Sequence, residues 1–477
     1  MFKAMENYEI YVGGIFKKTN SILNVVCPFD NKIFAQTYLA EKAELEDAIE
    51  KGLSVEKILK EMPLYKRYEI LMQISNEIKN SRKHLAEILA MESAKPLKYA
   101  LGEIDRGVQS FLIAAEESKR LPKEYMAIDW MTVGEGKEGL VKYFPIGLVA
   151  GISPFNFPLN LAAHKIAPAI AAGNPIILKP ARTTPLSVLE LAKIVDKTEL
   201  PKGAMSILPM DREAGNQLVT DQRIKMLTFT GSSSVGWKMK AEAGMKKVSL
   251  ELGGNAGVIV SDSANIDLAV KKCAIGAFAY SEQVCIHVQR IYIHEKIFDV
   301  FTEKFAEAVK KLKVGHPTEP DTDISAMIDE ENALRVEQWI KEATADGAKI
   351  ICGGNRTGAF VEPTVLTSTK HQMKVCSQEV FGPVVTLEKF NDFHTAVEWV
   401  NNTEYGLQAG IFTDSIHEMN YAFNHLEVGG VMVNEVSLFR VEQMPYGGVK
   451  NSGVGREGIK YAIIEMMEPK LLVKNID

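Results

Sequence analysis

The sequence predicts an α/β protein built on parallel, Rossmann-like sheets, and three observations carry that expectation. From residue 146 to residue 252 short apolar, strand-like runs alternate with helical segments. Proline and glycine punctuate the joints between them. A second alternating region follows, from about residue 257 to residue 433. At 477 residues the chain is too long for one hydrophobic core, so two or three domains are expected.

Taken in order, residues 8–36 read as short strands around a Gly13-Gly14 turn. Amphipathic helical patterns then run over residues 42–61, 65–92 and 99–119. In the second of these, Ile70, Ile74, Ile78 and Leu85 fall near helical spacing. Packing alone accounts for these helices. The more polar stretch 121–138 leads into residues 139–145 and reads as a hairpin-like excursion, whose exposed apolar residues suit pairing with another subunit. The first alternation places strands at 146–152, 175–179, 204–208, 226–230 and 247–252. Helices fall at 158–172, 185–195, 213–221 and 233–243. The second places strands at 257–260, 290–293, 384–387, 410–412 and 430–433, with helices at 297–312, 332–346 and 396–401. A glycine-rich loop opens at Pro445, and an apolar run, Lys470-Leu471-Leu472-Val473, closes the chain.

Composition narrows the function. Hydrophobic residues make up 46% and charged residues 24%, as in soluble globular proteins. A net charge of −6 without a long basic run argues against a nucleic-acid partner. The five cysteines lack paired spacing, which fits reduced thiols better than a disulfide framework. Neither Cys-x-x-Cys nor His-x-x-x-His occurs, so no metal site is expected. The start, Met1 to Tyr8, has no apolar segment of the kind a signal peptide needs. The longest apolar stretch, 166–178, is interrupted by Pro168 and Gly173-Asn174-Pro175, too short for a membrane helix. A cytoplasmic location is expected.

Ligands on parallel sheets sit beyond the carboxyl ends of strands, so the strand ends are where chemistry is sought. After residue 152 comes Ser153-Pro154-Phe155-Asn156-Phe157-Pro158. The prolines fix the backbone, and the Asn156 amide can donate to an oxyanion or cap the next helix. Lys179-Pro180-Ala181-Arg182 offers two cations that suit a nucleotide ribose or phosphate, or simply solvent. Gly231-Ser232-Ser233-Ser234 opens a helix with small residues, so backbone N–H groups could face a pyrophosphate. Glu251-Leu252-Gly253-Gly254 pairs a carboxylate with two glycines: a general base, or a salt-bridged glutamate. Cys285 stands at a helix-to-strand junction, where a thiolate could attack substrate; a buried, inert cysteine is the alternative.

The ordered set of motifs resembles the aldehyde dehydrogenase superfamily over nearly the whole chain. It comprises residues 153–158, Lys179-Pro180-Ala181, Phe229-Thr230-Gly231-Ser232, Glu251-Leu252-Gly253-Gly254 and Gln283-Val284-Cys285. Glu379-Val380-Phe381-Gly382-Pro383 and Pro445-Tyr446-Gly447-Gly448, with Ser452-Gly453 and Gly455-Arg456-Glu457, complete it. The 34-residue separation of Glu251 from Cys285 also matches. The resemblance implies an aldehyde dehydrogenase-like fold. Residues 1–120 and 144–252 would form an NAD(P)-binding domain and residues 253–444 a catalytic domain. Residues 121–143 and 459–477 would form an oligomerisation arm, and residues 445–458 an active-site loop. A homodimer or homotetramer is implied.

The same resemblance assigns roles. Cys285 attacks the aldehyde carbon, and the Asn156 amide and the Cys285 backbone N–H hold the resulting alkoxide. Hydride passes to NAD or NADP, and Glu251 activates water to hydrolyse the thioester. Lys165 and Glu457 form a proton relay behind that base. Ile152, Ser153, Pro154, Phe155, Lys179, Ala181, Arg182, Gly231, Ser232, Glu379 and Phe381 are the implied cofactor contacts.

Two departures stand out. Glu282 occupies a position usually held by glycine, where a carboxylate could raise the cysteine pKa, crowd the loop or face solvent. Arg182 stands where many NAD-preferring members carry glutamate, so NADP is expected to be at least accepted. Residues 284–290 and 439–446 look most like a branch acting on small polar aldehydes, of the lactaldehyde or glyceraldehyde type. His164 and Arg440, with Phe157 and Ile286, would line a polar pocket; Arg440 reads equally as a structural ion pair. The alternatives are a semialdehyde or phosphonoacetaldehyde dehydrogenase, a coenzyme A-acylating member, or a catalytically silent binding protein. Glu251 speaks against acylation, and the Asn156, Glu251 and Cys285 set against silence.

Overall fold

A computed structural model describes residues 6–476. Residues 1–5 of the polar start, and residue 477 of the expected arm, lie outside that range. Two sheets organise the molecule. The first has eight strands, in the spatial order Gly453–Val454, Lys247–Glu251, Met226–Thr230, Val149–Ile152, Ile176–Lys179, Met205–Ile207, Ile10–Val12 and Ile15–Lys17. Its five central strands are parallel, and antiparallel strands close both edges. The central strands are almost wholly buried, because helices cover both faces and every side chain must meet an apolar neighbour.

Val149–Ile152 comes first among the parallel strands, yet it sits between Ile176–Lys179 and Met226–Thr230. Strand order therefore reverses beside it. The loops after residues 152 and 230 leave in opposite directions and open a crevice. The helix Pro158–Ala172 fills one face. All its residues are buried, Pro158 starts it at N1, and Gly173 ends it at φ 91°, a left-handed turn that suits glycine.

The second sheet has seven strands, in the order Lys349–Cys352, Thr364–Thr367, Val384–Phe390, Val288–His294, Ala256–Val260, Gln408–Phe412 and Gly430–Val433. All pairings are parallel except the one at the Lys349–Cys352 edge. Between Glu251 and Ala256 the chain crosses from one sheet to the other. A separate antiparallel sheet joins Lys123–Ala127, Lys137–Pro145 and Met467–Asn475, uniting the hairpin excursion with the apolar tail. Tyr125, Leu471 and Leu472 are exposed on it, as are Trp130 and Met131 on the connection between its first two strands.

Some expectations needed correction. The single helix expected over residues 65–92 is two, Leu64–Asn80 and Arg82–Ser93, because Ser81 leaves the helical region at φ −92°, ψ 8°. Apolar spacing carries on through that break, so periodicity could not reveal it. The strands Lys349–Cys352 and Thr364–Thr367 and the helix Ile416–His425 were not anticipated. Lys349–Cys352 and Ile416–His425 are largely exposed and lack a strong apolar signal.

Candidate active site

The crevice beside Val149–Ile152 deepens into a cavity of about 770 Å³ between the two sheets. Such a volume suits a small substrate with part of a cofactor. Asn156, Glu251 and Cys285 all line it, and so do Pro154, Phe155, Phe157, Gly231, Ser232, Ile286, Glu379, Phe381 and Arg440. Residues spread over nearly three hundred positions thus meet at one place.

The loop that presents Cys285 is strained. Tyr280, Ser281 and Glu282 all have positive φ, at 56°, 50° and 60°. For residues other than glycine each costs about 1–2 kcal/mol. Side chains hold the loop in that shape. Ser281 Oγ donates to the Ser325 carbonyl at 2.7 Å, and Gln283 Oε1 accepts from Ile328 N–H at 2.9 Å. Glu282 Oε2 accepts from Val384 N–H at 2.7 Å, pinning the loop to the second sheet. A φ of 60° is a conformation that favours glycine, so glutamate holds it under strain. Glu282 is fully buried, with its carboxyl turned to the second sheet and not toward solvent. Burial pushes its carboxyl well above the usual range.

Two glycines let the strands close around the thiol. A Cβ on Gly254 would lie 2.2 Å from the Cys285 carbonyl oxygen, and one on Gly253 would lie 2.2 Å from Glu379 Oε2. Burial raises the Cys285 thiol to about 11; a hydrogen bond from Tyr446 and the charge of Arg440 pull it down, while Glu379 and Glu251 push it up. Asn156 Nδ2 donates to the Gln283 carbonyl at 2.8 Å, which leaves its second N–H for the cavity.

Behind the cavity floor lies a buried ion cluster. Lys165 Nζ meets Glu457 Oε1 at 3.2 Å and Thr230 Oγ1 at 2.7 Å. Arg440 reaches Glu457 Oε2 at 3.1 Å. Burial opposes ionisation of Glu457, but Lys165, His164 and Arg440 outweigh it and hold that carboxyl well below its usual range. Glu251 is treated oppositely. Neither of its oxygens has a hydrogen-bond partner among the described residues, and burial followed by repulsion from Glu457 pushes its carboxyl well up. A raised, unpaired carboxyl facing a cavity is poised to take a proton.

His164 requires a correction. It does not line the cavity: it is 1% exposed and contacts Glu442 through Nε2, with Arg440 and Glu457 at 2.9 and 3.2 Å from Nδ1. Its helix is buried on every side, so the ring turns to the one segment that offers partners. Arg440 takes part in the ion cluster and also lines the cavity, so both readings of it apply. Its Nε has no partner among the described residues.

Of the expected cofactor contacts, Pro154, Phe155, Gly231, Ser232, Glu379 and Phe381 line the cavity, whereas Ile152, Ser153, Lys179, Ala181 and Arg182 are not in its lining. Ile152 packs into the core under the first sheet, and Ser153 Oγ is buried without a partner among the described residues. Lys179 ends its strand against Gly215, whose Cβ would lie 2.9 Å from Lys179 Cε. Burial lowers its ammonium to about 8, and Arg182 and Arg212 lower it too. Ala181 is half-buried and Arg182 exposed. Burial raises Glu379 to about 7; its Oε1 accepts from Gly254 N–H at 2.9 Å. Ser232, at the start of the helix Ser233–Glu242, makes no capping hydrogen bond, so the first N–H groups of that helix remain available. Phe155 and Phe381 meet edge to face, 5.9 Å apart.

Sequence reading singled out neither Lys95 nor Glu103, and gave no role to Glu442 or Tyr446, although both lie in the run 439–446. Lys95 is fully buried. It donates to the Asn156 carbonyl at 2.5 Å, pairs with Glu103 and lies 3.6 Å from the Phe157 ring centre. Glu103 in turn accepts from the N–H groups of Leu159 and Asn160, at 3.0 and 3.2 Å. This pair fixes the Asn156 loop to the helix below it. Glu103 lies on the apolar helix Leu97–Ser118 and Lys95 in the connection before it, so the available signal was a glutamate at an otherwise apolar helical position.

A family model described as Aldehyde dehydrogenase family matches residues 16–472. A 3-sulfolactaldehyde dehydrogenase of Priestia aryabhattai is 41% identical, over 99% of both chains. The crystal structure of aldehyde dehydrogenase 21 from Physcomitrella patens, in complex with the reaction product succinate, is 46% identical. It superposes with a TM-score of 0.98 over 99% of both chains. A glyceraldehyde-3-phosphate dehydrogenase from Methanocaldococcus jannaschii, complexed with NADP, is 38% identical. Its TM-score is 0.92, over 97% of this chain and 100% of that one.

Two outcomes test this geometry. Lys95→Met leaves Glu103 charged and buried without its cation and should cost about 3–5 kcal/mol of stability. Adding Glu103→Gln should recover part of that in a thermal melt, a non-additive double-mutant cycle. Glu282→Gln tests the raised carboxyl. Below the usual carboxylate range both proteins are uncharged there. As pH rises past it, only the unfolded wild type ionises, so wild type alone loses stability, by up to about 1.4 kcal/mol per pH unit. Melts from pH 5 to pH 8 should move steadily in favour of the glutamine protein.

Proposed function

The chain belongs to the aldehyde dehydrogenase family, and we propose that it oxidises a small polar aldehyde to the carboxylate, using NAD or NADP. The observation that carries this reading is the single cavity in which Cys285, Asn156 and Glu251 meet. The first sheet with its helices, residues 1–120 and 144–252, serves as the cofactor domain, and residues 253–444 as the catalytic domain. The three-stranded sheet formed by the arm and the tail, with its exposed apolar face, pairs subunits into a dimer or tetramer.

The described residues fit a dinucleotide. The free N–H groups opening Ser233–Glu242 suit a pyrophosphate. Glu379 suits the ribose next to the nicotinamide, and Lys179, Arg182 and Arg212 suit the adenosine ribose. Three cations at that end favour acceptance of a 2′-phosphate. When bound, the nicotinamide supplies the hydride acceptor. Cys285 attacks the aldehyde carbon as the thiolate, because the thiol is a poor nucleophile. Charge develops on the aldehyde oxygen, and the free N–H of the Asn156 amide and the Cys285 backbone N–H stabilise it there. Once the acyl group is a thioester on Sγ, Glu251 takes a proton from water as the water attacks. Its raised pKa makes it the stronger base. Lys165 and Glu457 stand behind Glu251 to pass that proton on and keep the charge balanced. Phe157 and Ile286 enclose the substrate.

An anion-bearing aldehyde is the preferred polar substrate. Arg440 and Arg106 both line the cavity, and Lys98 stands at its edge. The guanidinium Nε of Arg440 is without a partner among the described residues. A terminal carboxylate, sulfonate or phosphate would meet those cations, as would the succinate-type product seen in the Physcomitrella patens relative.

Reduced cofactor release from short aldehydes, with and without coenzyme A, tests the reaction. Wild type should turn over without coenzyme A, and Cys285→Ala should show none; release only with coenzyme A would make the enzyme acylating. In a substrate panel, a 3-sulfo or 4-carboxy aldehyde should exceed hexanal in kcat/KM. Arg106→Gln should lose roughly 10–100-fold on the anionic substrates and little on a neutral one. Faster turnover of hexanal would count against a polar pocket.

A further inference from the structure

One group in contact with the thiol has no role in the reading above. The Tyr446 hydroxyl lies 3.2 Å from Cys285 Sγ, its one hydrogen-bond partner among the described residues. The tyrosine is buried and packs with Tyr280, Val284, Ile286 and Leu407 around the cysteine. Its position is set from two sides. Its backbone exchanges hydrogen bonds with Glu457, at 3.0 and 2.7 Å, and the guanidinium of Arg440 stacks on its ring, 3.5 Å from the centre. A phenylalanine would fill the same space, so the hydroxyl is the distinguishing atom.

The geometry points to Tyr446 as a further catalytic residue, whose hydroxyl donates to the Cys285 thiolate and stabilises it for attack. While the thiol is neutral either atom can donate. Once Cys285 ionises, sulfur can only accept, and the phenol is the donor that faces it. The thiol proton leaves to water and Tyr446 keeps its own. Three other groups, and burial, bear on the sulfur. Arg440 favours the thiolate, both directly and by polarising the phenol beneath it. Glu379, Glu251 and burial disfavour it. Without a donor the thiol would be a poor nucleophile at neutral pH, because its site is apolar and flanked by carboxyls. When Sγ bonds to the aldehyde carbon it loses its charge, so the bond to Tyr446 weakens as the covalent adduct forms. The donor therefore acts on the population of attacking thiolate, not on hydrolysis of the thioester.

This inference rests on Cys285 being the nucleophile, and it can fail separately. The measurement is the pH dependence of Cys285 alkylation by iodoacetamide in the full-length protein, mapped by mass spectrometry so that the other four cysteines do not contribute. Tyr446→Phe should raise the midpoint by about one pH unit and slow alkylation at pH 7 roughly tenfold. Replacing Tyr446 with 3-fluorotyrosine keeps the ring and the fold but sharpens the donor, and should lower the midpoint. An unchanged midpoint in both proteins overturns the proposal. If the phenylalanine protein fails to fold, the fluorinated one decides alone: a lower midpoint supports the donor, and no shift overturns it. Persisting aldehyde oxidation in Cys285→Ala would instead overturn the nucleophile, whatever the titration shows.

Discussion

Buried charge has to be balanced where water cannot reach it, and that constraint shapes the floor of this cavity. Glu251, Glu457 and Glu442 are buried within reach of Lys165, Arg440, Arg106 and His164. An isolated ion in such a place would cost many kcal/mol. The cluster avoids this by giving its cations to Glu457 and Glu442, which stay ionised, and leaving Glu251 without one. One carboxyl is thereby held basic by the same arrangement that keeps its neighbours acidic. Lys165 and His164 come from the helix Pro158–Ala172, Arg106 from the helix Leu97–Ser118 and Arg440 from the segment returning over them, so the cluster also ties these three together.

The thiol is arranged by a different physical route. The backbone before Cys285 runs through three left-handed residues, a shape that persists only because the second sheet over-determines it. Glu282 looks in sequence like a charge beside a nucleophile. In the fold it is a buried clamp, whose Oε2 accepts from Val384 N–H on the second sheet. Gly253 and Gly254 perform the complementary service from the first sheet, where any Cβ would collide with Glu379 or with the Cys285 carbonyl.

Lys95 shows how far such support extends. It lies outside every motif, yet its ammonium holds the Asn156 carbonyl and the Glu103 carboxylate that starts the next helix. The Asn156 amide, the cysteine loop and the base each sit on a different element. Each is braced by a buried polar side chain from another part of the chain. A functional site between two sheets needs this, because neither sheet alone fixes the distance across the gap.

Local pattern determined much of this protein. Apolar alternation located both parallel sheets, and the small and proline-framed loops at strand ends marked Asn156, Gly231-Ser232 and Glu251. Helical and strand periodicities are properties of adjacent residues, so they could be read directly. The break at Ser81 and the half-exposed strand Lys349–Cys352 escaped because neither changes that local pattern strongly. Only the tertiary structure decided that His164 faces Glu442 and not substrate, that Glu282 meets Val384 N–H, and that Tyr446 meets Cys285 from 161 residues away. The reason is physical: strand order and buried charge balance determine which ends of the chain meet, and both are settled only when the sheets pack.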